Sequence, residues 1–166
     1  MKLNPVLAAL LLSTAALSAA AQSVPSGTAL PAAATCPTGL PEGARCLNGR
    51  DYLGAWYWIA VPKDWTPETG VLVVHAHGGP ALGEPTLARA TADLQRWSVM
   101  VRAGHAWAGS SFRQGGVEVL AAGEDTERLR QIAVAALGQP RRTLLHGQSW
   151  GASVAARMAE RYVTPD

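Results

Sequence analysis

Gly147-Gln148-Ser149-Trp150-Gly151 and His77-Gly78-Gly79-Pro80 are the two segments whose residue types and spacing could do chemistry. The first is a G-x-S-x-G pattern that follows a short apolar run and opens a helical one, a strand–turn–helix setting that holds a serine in a strained turn with its hydroxyl exposed. Gly147 and Gly151 would let two backbones crowd together there, and a helix N-terminus beneath Ser149 favours the negative charge that develops when the hydroxyl attacks a carbonyl. The bland alternative is a glycine-rich turn with an idle serine. The second segment supplies backbone N–H groups of the kind that hold an oxyanion. Pro80 has none, so that donor is Gly78 or Gly79, and Trp150 would give the other.

Asp51 to Val61 crowds aromatics and β-branched residues (Tyr52, Trp56, Tyr57, Trp58, Ile59, Val61) ahead of Pro62, a strand signal. Val71 to His75 is a continuous apolar run, as in a buried parallel strand. Leu87, Ala90, Leu94, Trp97 and Val101 recur at helical spacing, with Gly104 as the stop. Ala106 to Ser111 reads as the next strand. Leu129, Ile132, Ala133, Ala136 and Leu137 mark a second helix, with Glu124, Asp125 and Glu127 at its positive end complementing the dipole. Thr143 to His146 is a strand and Trp150 to Tyr162 a third helix. Strands alternating with helices predict an α/β fold with a mostly parallel sheet flanked by helices.

The pieces VLVVHAHGGP, GHAWAGSSFRQGGVEVLAAGEDTERL and TLLHGQSWGASVAARMAERY resemble secreted α/β-hydrolases of the esterase and prolyl-oligopeptidase-like kind, over roughly Tyr52 to Val163. The resemblance implies that Ser149 is the nucleophile, that Gly79 and Trp150 line the oxyanion hole, and that Ser110-Ser111-Phe112 lies beside the pocket. HGGP with G-x-S-W-G also looks like the proline iminopeptidases. Those carry an Asp-x-Arg-Gly-x-Gly-type segment where this chain has Gly109-Ser110-Ser111-Phe112-Arg113-Gln114-Gly115-Gly116, a departure that favours an ester over a peptide bond.

In this fold the triad runs serine, acid, histidine along the chain. After Ser149 only Trp150 to Asp166 follow, without a histidine, and Asp166 comes too early for the acid. His75, His77, His105 and His146 all lie upstream. His146 should be buried in the sheet, which leaves His105 as the least implausible stand-in. The expectation is a hydrolase domain truncated after the helix that follows Ser149, inactive as it stands. Two rivals remain. His75 and His77, two apart on one strand face, could hold a zinc, but no further ligand follows at a recognisable spacing, and core packing suits His75 better. A non-catalytic, hydrolase-like binding module or remnant is the other.

Composition narrows the field. A net charge of +2 on 166 residues gives no field for nucleic acid. Gly78-Gly79 and Gly115-Gly116 lack a P-loop lysine or G-x-G-x-x-G spacing, so no nucleotide, and no metal or organic cofactor, is expected. Lys2, the apolar run Val6 to Leu12 and Ala19-Ala20-Ala21 read as a signal peptide over 1–21, cut after Ala21. Residues 22–50 form a linker and N-terminal loop, unstructured over Gln22 to Thr35, and 51–166 the hydrolase part. The expected product is secreted or periplasmic, with no stable membrane anchor, acting on a small-molecule ester or peptide. In that oxidising space Cys36 and Cys46 most simply pair with each other.

Overall fold

The computed structural model describes residues 29–79, 82–116 and 118–162. The signal-peptide reading over 1–21, Pro80 and Asp166 lie outside the described residues. The strands are β1 (Ala32–Ala34), β2 (Arg45–Arg50), β3 (Trp56–Val61), β4 (Val71–Ala76), β5 (Ala106–Ser110) and β6 (Arg142–Gly147). They form one sheet in the order β1-β2-β3-β5-β4-β6. Pairing is antiparallel from β1 through β5 and parallel from β5 through β4 to β6, so the expected parallel arrangement holds for the half that leads to Ser149.

Four helices, α1 (Leu87–Arg96), α2 (Ser98–Arg102), α3 (Val119–Leu137) and α4 (Gly151–Tyr162), cover the two faces. Alternation along the strands decides which face each residue serves. Val73 of β4 and Trp107 of β5 pack with Ala90, Leu94 and Val101 of α1 and α2. Leu72, Val74 and Ala108 pack with Leu129, Ile132 and Ala133 of α3. With both faces covered, β4 can be apolar at nearly every position, which is why it reads as a continuous run.

Three expectations are corrected. Ala32–Ala34, placed in the unstructured spacer, is a strand pairing with Asn48, Leu47 and Cys46 of β2. Alanine gives no β signal, and the backbone partners alone define it. The helix expected over Leu87 to Val101 is broken at Trp97, because the Ser98 hydroxyl donates to the Gln95 carbonyl (2.8 Å) and takes over the last-turn acceptor. Gly104 does end the segment, with φ +90°. Glu124 and Asp125 do not open their helix. It starts five residues earlier at Val119, capped by the Glu118 carboxylate accepting from the Leu120 N–H (2.9 Å), and Asp125 lies well inside it, buried.

Cys36 and Cys46 form a disulfide with Cα atoms 5.1 Å apart, which ties the segment after β1 to β2. Among the described residues no helix is long and apolar enough to cross a membrane.

Candidate active site

Ser149 sits in the turn between β6 and α4 with φ +51°, in the left-handed region that side-chain-bearing residues rarely adopt. The close crossing of this turn over the end of β4 explains its glycines. A Cβ on Gly151 would overlap the Ala76 and His77 carbonyl oxygens, and one on Gly147 would overlap the backbone of Gly151. The Gln148 N–H donates to the Ala76 carbonyl (3.1 Å), and the Gly151 N–H to the Gln148 carbonyl (2.8 Å), which locks the turn against β4.

The loop after β4 meets the same turn from the other side. A Cβ on Gly78 would stand 2.7 Å from the Gln148 carbonyl oxygen, so Gly78 is required by contact. Gly79 is required by conformation instead: its φ is +69° and the space beside it is open. The segments carrying Gly79 and Trp150 are thus in contact at the C-terminal end of the parallel strands, next to the first turn of α4.

His77 and Phe112 build the wall behind them. The His77 ring stacks on Phe112 with centroids 4.2 Å apart, and Phe112 meets the Trp150 ring edge-on at 6.0 Å. His77 Nδ1 lies 3.0 Å from the Gly78 carbonyl oxygen. Burial pushes the His77 pKa below its ordinary value, against the smaller opposing pull of the Gly78 carbonyl and Asp93.

The other histidines are distributed differently from the sequence expectations. His105 precedes β5 and lines a cleft of about 490 Å³ with Lys63, Trp65, Val71 and Arg102, at the opposite end of the parallel strands from Ser149. That position removes it as a stand-in base. The sequence places His146 buried in the sheet; among the described strands β6 is the last of the sheet, and His146 is only partly covered there. His75 is fully buried, stacked on Trp107 (5.5 Å), as core packing predicts. His75 and His77 do not converge, since His77 lies past the end of β4 against Phe112. No group of three or more His, Cys, Asp or Glu side chains among the described residues is arranged to hold a metal.

Sequence reasoning missed a buried ion network beside this wall. Asp125 accepts from the Arg113 backbone N–H and Nε, each at 2.6 Å, and from Arg128. Arg128 Nε donates to Asp51 Oδ2 (2.6 Å), whose Oδ1 accepts from the N–H groups of Leu53 and Ala55 (3.0 and 2.9 Å). Burial opposes the charge on Arg128, but Asp125 and Asp51 together raise its pKa. Only the Asp51-to-Gly54 turn carries a local signal for any of this.

No protein-family model matches the chain, and no curated protein sequence matches it. Solved structures do. A serine hydrolase without a lid from Xanthomonas campestris superposes with TM-score 0.50 at 17% identity, over 73% of this chain and 57% of that one. The rice cell wall degrading esterase LipA from Xanthomonas oryzae gives 0.49 at 16% identity, over 72% and 37%. A thermostable carboxyl esterase from Bacillus coagulans gives 0.46 at 19%, over 74% and 41%. The first of these shows that this chain has the α/β-hydrolase fold, and this chain spans little more than half the length of that structure.

Proposed function

We propose that this chain belongs to an exported serine hydrolase that cleaves carboxylic esters through an acyl-enzyme on Ser149. The observation that carries the reading is the left-handed Ser149 between β6 and α4, held there by glycines that let the turn press on the end of β4. Strain of this kind is kept only where the surroundings enforce it, and at a strand–helix turn it presents the hydroxyl for attack.

In this reading Ser149 Oγ attacks the carbonyl carbon, and its proton passes to a base. The carbonyl oxygen becomes an oxyanion held by the N–H groups of Gly79 and Trp150, with the positive end of α4 adding to the field. The tetrahedral centre then expels the alcohol, which leaves with that proton. Water repeats the sequence on the acyl-serine and releases the acid. Among the described residues no histidine is hydrogen-bonded to Ser149, and the reading assigns the base to none of them. The Cys36–Cys46 disulfide supports an oxidising compartment, in line with export.

The test is covalent labelling of the protein, as its own gene encodes it, with a fluorophosphonate probe, followed by p-nitrophenyl ester hydrolysis. Labelling of Ser149 and loss of turnover in Ser149→Ala are expected. A protein that takes no label at Ser149 overturns the reading in favour of a binding module. Cleavage of prolyl anilides with no action on esters would move it to a peptidase.

A further inference from the structure

Two residues among those described, other than glycine, have positive φ. One is Ser149, and the other is Phe112 at +60°. A bulky residue in this region is an outlier that persists only when several contacts enforce it. Here they are explicit. The Phe112 N–H donates to Ser110 Oγ (3.0 Å), and its carbonyl accepts from Ser111 Oγ (3.1 Å). Ser111 Oγ in turn accepts from the Trp56 N–H at 3.0 Å, which anchors it to β3. The next residue, Arg113, is fixed through its backbone and guanidinium to the buried Asp125.

What this scaffold presents is one ring between two others. Phe112 is the chain's one phenylalanine and is 4% exposed. It stacks on His77, which leads into Gly78-Gly79, and abuts Trp150, which follows Ser149. Phe112, Arg113, Asp125 and Trp150 line one small pocket beside the wedge. An oxyanion hole works best when its donors are fixed before the charge forms, and a misplacement of about 1 Å can cost about 100-fold in rate.

We propose that Phe112 is a positioning residue for the oxyanion hole, setting the separation of the Gly79 and Trp150 backbone segments, and that Asp125 holds it in place through Arg113. The proposal rests on the serine-hydrolase reading above. Phe112 touches no reacting atom, and its effect falls on the stabilisation of the tetrahedral state while leaving ground-state binding alone.

The experiment measures p-nitrophenyl butyrate hydrolysis by the intact protein and its Phe112→Ala, Phe112→Leu and Asp125→Asn variants. Rates are normalised to active sites titrated with the fluorophosphonate. Phe112→Ala should lower kcat per titrated site by about 10- to 100-fold with KM changed less than about threefold. Inhibition by an alkyl boronic acid, which forms a tetrahedral adduct on the serine, should weaken in parallel. Phe112→Leu should fold better than the alanine variant yet keep most of the kcat loss. Asp125→Asn should lose less, about 3- to 10-fold, in the same parameter. Unchanged kcat per titrated site, or a loss seen only in KM or in the number of titratable sites, overturns the proposal. A wild-type protein without a titratable Ser149 instead removes the reading beneath it.

Discussion

His75 and His146 face each other across β4 and β6 with their Nδ1 atoms 2.8 Å apart. A hydrogen bond between two Nδ1 atoms needs one proton, so one ring donates and the other accepts. Asp93 Oδ1 stands 3.9 Å from His75 Nε2, on the far side of that ring. The pair sits three residues before Ser149 on one strand and two before His77 on the other, and it joins the strand ends that carry both halves of the candidate site.

Stability should therefore fall on mild acidification. Burial first, and then the neighbouring His75 ring, push the His146 pKa below its ordinary value, and burial does the same to His77. Once unfolded, both rings take up protons near 6.5, while the folded chain refuses them until a lower pH. The unfolded state thus binds more protons in the interval, so stability is complete above 6.5 and declines below it. Urea midpoints should be level between about pH 8 and 7 and drop toward about pH 5.5, with a shallower drop in His146→Gln. A midpoint that rose on acidification would contradict this account.

The Ser149 conformation makes a separate prediction. Alanine at φ +51° keeps the steric cost of the left-handed region, whereas glycine relieves it. Both Ser149→Ala and Ser149→Gly should abolish ester hydrolysis. Denaturant titration should nevertheless find the glycine variant more stable than the alanine one by about 1 kcal/mol. Equal midpoints would mean that the turn relaxes once the hydroxyl is gone.

Removing Arg128 tests the buried network. Its guanidinium is shared between Asp51 and Asp125, and both carboxylates are buried. Arg128→Ala leaves Asp51 facing the interior with no counter-charge, and breaking such a pair costs about 3–5 kcal/mol. A loss below about 1 kcal/mol, the range of exposed pairs, would show that water reaches the site.

How much of this could be read in the chain depends on how local each cause is. Ser149, Gly147 and Gly151 were legible because a strand, a tight turn and a helix follow one another within a few residues and leave a pattern of types. The β4 strand was legible because burial on both faces makes it uniformly apolar. The alanines of β1 carry no such mark, since their partners lie more than ten residues away. The break at Trp97 goes with the Ser98 hydroxyl bonded to the Gln95 carbonyl, a local competition that helical periodicity alone does not show. The network from Asp51 to Arg128 spans 77 positions, beyond any periodicity. Glu124 and Asp125 looked like dipole partners because only the fold shows that the helix begins before them.

The disulfide offers the last prediction. Cys36 and Cys46 close a loop of about ten residues, and the entropy removed from the unfolded chain by so short a loop corresponds to about 2.5–3 kcal/mol. The bridge also ties the segment after β1 to β2, whose other neighbour is β3 in the body of the sheet. Reduction should therefore lower the unfolding free energy obtained from guanidinium titration by that amount and loosen β1 first, seen as faster amide exchange at Ala32–Ala34 than in β4. A Cys36→Ser/Cys46→Ser variant should match the reduced protein and be indifferent to dithiothreitol. If reduction changed neither the midpoint nor exchange in β1, the loop would already be ordered in the unfolded chain, and the entropic account would fail.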